Sequence, residues 1–105
     1  MSRPPTCLVV FHHPGPAWQP GVPVFEQPGL QAHVDHYRGL LQNGQLGAGG
    51  PFLDEQGGGM MVAKPGMSHD ELLAFAESDP AVKTGLLRVA IRPWMPAMRA
   101  DDGLV

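Results

Sequence analysis

Along the chain, the first regular pattern is "TCLVVFHH", a short, β-branched and largely apolar run that stops at Pro14. It predicts a first strand buried on both faces. At Leu30 the period changes, with Leu30, Val34, Tyr37 and Leu41 recurring at i, i+4, i+7 and i+11. That is one stripe of a helix, and Asn43-Gly44 ends it as a left-handed C-terminal cap does. "QLGAGGPF" is then a short strand candidate closed by Pro51, "LDEQGGG" is turn material, and "GMMVAK" is a further strand ending at Pro65-Gly66. Ser68 and Glu71 stand at capping-box spacing ahead of "LLAFA", so a second helix starts at Ser68. Pro80 biases the residue before it away from helix and stops this one near Ser78. "GLLRVAIRP" is the last strand, ended by Pro93.

Between the first strand and the first helix, residues 12–28 cannot be regular structure. "HHPGPAWQPGVPVFEQPG" holds five prolines and three glycines in eighteen residues, too long for a mere connection and of the kind that forms binding or lid segments. Trp18 and Phe25 favour an ordered loop. At the other end, residues 99–105 read as a frayed tail.

The order β, loop, α, β, β, α, β within a single domain, 1–105, predicts an α+β fold. The expected form is a ferredoxin-like βαββαβ antiparallel sheet with two helices on one face. "CLVVF" and "LLRVAI" offer apolar side chains to both faces, while two helices cover only one. The uncovered face is expected to meet a second copy, giving a homodimer through the sheet face, a dimeric α+β barrel.

Composition narrows the classes. Charged residues make up 16% of the 105-residue chain, sparse enough to fit a protein that buries part of its surface in a partner. Net charge is −3 with scattered Lys and Arg, so no basic stripe is available to nucleic acid. The apolar run Leu8–Phe11 is far short of a membrane span, and a cytoplasmic protein is expected. Cys7 is the one cysteine and has no partner for a disulfide, a zinc pair or a redox motif.

Candidate chemistry concentrates in "HVDH", His33 to His36. At roughly 100° per residue and centred on Leu30, the stripe Val34, Tyr37 and Leu41 falls within about 40°. Leu40 and His33 follow near −80° and −60°, His36 lies on the boundary at roughly −120°, and Asp35 points to solvent at about 140°. A buried imidazole costs desolvation unless its nitrogens are satisfied, so His33 needs a partner that Asp35 cannot be. Asp79, at the end of the second helix, is the best distant one. A His33-Asp79 pair would fix the imidazole tautomer and leave the other nitrogen as a proton acceptor. A lone histidine in such a position is more often a hydrogen-bonded core residue than a base, and Asp79-Pro80 is also what an N-cap before a first-position proline looks like.

His33 and His36 have the spacing to chelate a metal with His12, His13 or Asp79 as third ligand, but nothing else supports it, and no metal or cofactor is expected. Strand alternation sends one of His12 and His13 inward. Trp18 and Phe52 are candidate pocket walls or core aromatics. His69 is expected to be solvated, Met60-Met61 to be strand core, and the glycine-rich runs fit no phosphate-loop spacing.

"LQAHVDHYRGLLQNGQLGAGGPF", with "ELLAFAESDPAVKTGLLRVAIRPW" after the intervening strand, resembles the YciI-like (YCII-related) proteins from Cys7 to Met98. His33 matches the family's helix histidine, Gly50-Pro51 its Gly-Pro, and Asp79-Pro80 the Asp-Pro ending the second helix. The resemblance implies a ferredoxin-like fold, a dimeric barrel and a His33-Asp79 catalytic dyad. Many members carry arginine where this chain has Leu30, which implies another anchoring group or a more neutral ligand. The function it implies is a cofactor-independent lyase or isomerase acting on a small cyclic compound, with His33 as general base and Asp79 orienting it. Expected substrate contacts are His12, Trp18, Gly50, Pro51 and Phe52. The alternative is a non-catalytic dimeric small-ligand-binding or accessory module, which would show a closed or dry cavity and a His33 bonded on both nitrogens.

Overall fold

The computed structural model describes residues 6–100. Its elements are β1 (Cys7–Pro14), a single 3-10 turn (Val24–Glu26), α1 (Leu30–Gln42), β2 (Leu46–Pro51), β3 (Gly59–Ala63), α2 (His69–Glu77), α3 (Pro80–Lys83) and β4 (Leu87–Trp94). The strands pair antiparallel throughout in the order β2-β3-β1-β4, so β1 lies between β3 and β4. A four-stranded antiparallel sheet with three helices is an α+β fold compatible with the ferredoxin-like arrangement.

Local signals set the boundaries. Gly44 takes φ +82° just past α1, a conformation that other residues rarely adopt. Ser68 and Glu71 exchange both capping-box hydrogen bonds at the start of α2, and Ser78 caps its end. Between sheet and helices, Val10, Ala63 and Leu46 from the strands meet Tyr37 and Leu40 of α1 and Leu72 and Ala76 of α2 in one buried cluster. Both long helices therefore cover the same face of the sheet.

The structure corrects five expectations. Residues 12–28 are not wholly irregular: His12, His13 and Pro14 belong to β1, where they pair with β4, and Val24–Glu26 form a 3-10 turn. A third helix, α3, follows Asp79, and its single turn is too short to show a period. β4 runs through Pro93 to Trp94, which an edge strand tolerates because it has a neighbour on one side only. The outer face of β4 is mixed, with Arg88 and Arg92 exposed beside Ala90 and Trp94 at its end, so the apolar part of that face is made by Cys7, Val9, Phe11, Met60, Val62 and Trp94. Finally, α1 is turned from the expected stripe: its buried residues are His33, Tyr37 and Leu40, while Leu41 is 57% exposed. The tertiary fold sets Leu30, Val34 and Leu41 against a cavity instead of the core.

The proline-rich segment is ordered by one side chain. Buried Gln27 accepts a hydrogen bond from the Gln19 amide and donates to the carbonyls of Gln19 and Val22. Backbone bonds from Gly15 to Leu86 and from Ala17 to Gly85 tie the loop's start to the entry of β4. Trp18 packs with Ala81, Leu86 and Leu87, as an ordered loop requires, whereas Phe25 is 73% exposed at the cavity edge. Of the expected frayed tail at 99–105, Arg99 and Ala100 are described, and residues 101–105 lie outside the described residues.

Candidate functional site

Three elements deliver polar side chains to one point above the sheet. Alternation along β1 turns His12 toward the helices, where it is buried, and His13 to the opposite, exposed side. On α1, His33 and Tyr37 are one turn apart and share a face. Asp79 occupies the single position between the cap of α2 and the first residue of α3.

The two readings of Asp79-Pro80 prove to be compatible, because each carboxylate oxygen has its own task. Oδ1 accepts the Ala81 amide at 2.9 Å and caps α3, with Pro80 at the first helical position. Oδ2 accepts from His33 Nδ1 at 2.6 Å. Asp79 is fully buried. Burial alone would raise its carboxyl, but the hydrogen bonds from His33 and Ala81, with the fields of His33 and His36, hold it below the usual carboxylate range. In the neutral form of His33, the Asp79 carboxylate holds the one ring proton on Nδ1 and leaves Nε2 as an acceptor. Among the described residues Nε2 has no hydrogen-bond partner, and it is not among the polar atoms sealed from solvent.

The other members of "HVDH" go elsewhere. His36 donates Nε2–H to the Phe75 carbonyl at 2.7 Å and stacks on the Phe75 ring. Exposed Asp35 accepts from Gln31 and faces Arg38. His36 Nε2 is thus engaged with α2. The cluster that does form is His12, His33 and Asp79, whose candidate ligand atoms lie within 4.8 Å of one another. Two ligands of a tetrahedral ion at 2.0–2.1 Å stand roughly 3.3 Å apart. The 2.6 Å contact is that of a hydrogen-bonded pair.

Beside the pair, His12 Nε2 lies 3.1 Å from the Tyr37 hydroxyl, and His12 Nδ1 is sealed without a partner. Burial first, and the neighbouring His33 next, push His12 down to about 3, so it is neutral at any physiological pH. Burial and the charge of Asp79 push the Tyr37 phenol up, so it keeps its proton. The rings of His12, His33 and Tyr37 form a triangle with centroid separations of 4.7, 5.2 and 5.2 Å.

These three residues line a cavity of about 290 Å³. Its other walls are Trp18 and Val24 from the loop, Leu30, Val34 and Leu41 from α1, and Met60 and Met61 from β3. The exposure of Phe25, Leu41 and Pro51 at its edge opens it to solvent. Two tight glycine approaches hold this wall in place. Trp18 lies so close over Gly57 that a Cβ there would sit 2.6 Å from the indole, and a Cβ on Gly58 would run into the His12 carbonyl oxygen.

Of the residues expected at a binding site, His12, Trp18, Gly50 and Pro51 lie on the cavity wall. Phe52 does not. It follows the end of β2, its amide bonds to Gly58, and its side chain is 43% exposed. Tyr37 was readable only as core, although its spacing from His33 was the available signal. Arg38 was not singled out and also borders the cavity.

No helix among the described residues is long and apolar enough to cross a membrane. Among curated proteins, none matches the chain in sequence. A family model, that of the YCII-related domain, matches residues 10–95. That span runs from β1 to the end of β4 and includes His12, His33, Tyr37 and Asp79, so the chain belongs to the YCII-related family.

Proposed function

We propose that this protein is a cofactor-independent lyase or isomerase acting on a small cyclic compound, with His33 as general base. The single observation that supports this most is the polarity of the His33 imidazole. One nitrogen is fixed on a buried carboxylate at 2.6 Å, and the other is unpartnered beside a solvent-open apolar cavity. Asp79 orients the ring and stabilises the imidazolium formed when Nε2 takes a proton, the task a base-orienting carboxylate performs. The mainly apolar walls suit a ring, and about 290 Å³ suits a small one.

The binding-module alternative expects a closed or dry cavity with both His33 nitrogens bonded inside the protein, and the open cavity weighs against it. A homodimer belongs to the proposal: Val9, Phe11, Met60 and Val62 on the outer face of the sheet form its apolar contact. So does a reducing, cytoplasmic setting for the buried Cys7 thiol.

The test begins with a panel of lactones and hydroquinones, chlorinated and not, scored by ligand-induced thermal shift and then for turnover. Against a substrate found in this way, His33→Ala and Asp79→Asn are expected to lower kcat by about 10²-fold or more, the range typical for a general base. Unchanged turnover in both variants refutes the mechanism.

A further inference from the structure

We infer that Tyr37 is a second polar group of this site, a hydrogen-bond donor to a ligand oxygen, and that the substrate class is therefore an enolisable carbonyl compound. The inference rests on the base reading of His33 and adds the group that would face it.

Proton counting carries the argument. Neutral His12 and protonated Tyr37 bring two protons, one N–H and one O–H, to a single 3.1 Å contact between Nε2 and the hydroxyl. One proton fills that contact, and the other must be left over. If Tyr37 donates to Nε2, the spare proton sits on His12 Nδ1, which is sealed from water and has no acceptor. A buried N–H without an acceptor is the rarest kind of unsatisfied group in folded proteins. If His12 donates Nε2–H to the phenol oxygen, Nδ1 carries only a lone pair and the spare proton belongs to the Tyr37 hydroxyl. Tyr37 borders the cavity that also receives His33. His12 then acts as a positioning residue that aims the hydroxyl. Its burial, which keeps it neutral, fits this role.

The cavity would thus present an acceptor, His33 Nε2, and a donor, the Tyr37 hydroxyl, from rings whose centroids are 5.2 Å apart. A carbon acid next to a carbonyl matches that pair. His33 Nε2 takes the α-proton, the C–H electron pair becomes the new C=C bond, and the carbonyl π pair moves to oxygen. Tyr37 stabilises the resulting oxyanion by hydrogen bonding, with no proton transferred. Return of the proton from the imidazolium to another carbon gives an isomer, and departure of a leaving group with its electron pair gives elimination.

Substituted phenols, whose phenolate resembles an enolate on a ring, serve as the probe, with fluorobenzene as the oxygen-free control. Calorimetric titration of the full chain is expected to show phenol binding that Tyr37→Phe weakens about tenfold or more, the value of one good hydrogen bond to a charged oxygen. Fluorobenzene binding should change less than about twofold, because Phe keeps the ring packing. Equal loss of both ligands would show a merely structural tyrosine, and no loss, or no phenol binding by the parent protein, would also overturn the proposal. Should Tyr37→Phe fail to fold, the ¹⁵N shifts of His12 decide the matter: an Nε2–H tautomer is expected, and an Nδ1–H tautomer refutes it. In a turnover assay, loss of activity in His33→Ala with full phenol binding in Tyr37→Phe would sink this inference and leave the base reading standing.

Discussion

Acid is expected to destabilise this fold through His12. The His12 ring is 2% exposed, packs edge-on to His33, and feels His13 and His36 against its charging, with only Asp79 in favour. Its value falls from the ordinary 6.5 to about 3. Between those limits the unfolded chain carries a proton that the folded chain refuses, so stability is complete above pH 6.5 and is lost as pH falls toward 3. The slope is about 1.4 kcal/mol per pH unit, which gives a loss of about 2.5 kcal/mol between pH 7.5 and pH 4.5. For a domain stabilised by some 5–15 kcal/mol in all, that is readily measured. Urea unfolding followed by circular dichroism at the two pH values supplies it, with His12→Gln as the reference. Glutamine is neutral throughout, and its amide can still donate to the Tyr37 oxygen. The variant's loss between the two pH values should be smaller by about 2.5 kcal/mol. Equal losses in the two proteins would refute a neutral, buried His12, whatever the variant's own stability.

Two further outcomes follow from the contacts of single side chains. Asp79→Ala removes the cap of α3 and leaves His33 Nδ1–H without its acceptor, at a combined cost of about 3 kcal/mol in denaturant unfolding. Asp79→Asn keeps an oxygen for the Ala81 amide and should cost clearly less, so equal costs would contradict the divided task of the two oxygens. Gln27→Ala removes three hydrogen bonds that close the proline-rich loop. Limited proteolysis should then cut within residues 15–29 several-fold faster with little change in Tm, because the loop contributes little to the main core. An unchanged cleavage rate would show that Gln27 does not order it.

Much of this protein was legible in its residues because local chemistry decides it. The capping box at Ser68, the left-handed Gly44, the turn residues and the change of period at Leu30 each act over a few positions, and each lies where expected. The His33-Asp79 contact was legible for a different reason. A histidine inside an apolar arc demands a partner, and the order of elements left Asp79 as the best one. That its carboxylate both caps α3 and holds His33 was beyond reach, since a four-residue helix has too few positions to announce itself.

What the tertiary structure alone decided is which half of the apolar stripe on α1 is core and which is cavity. Periodicity gives a direction on the helix and nothing about what stands opposite. Here Tyr37 and Leu40 meet the sheet, while Leu30, Val34 and Leu41 meet open space bounded by Trp18 and the Met60-Met61 strand. The pairing of His12 with Tyr37 is of the same kind, a contact across 25 residues fixed by strand register and helix rotation together. Burial of apolar area is nearly indifferent to direction, so composition and spacing determine that a core forms. Only the packing of the elements against one another determines where it leaves room for a ligand.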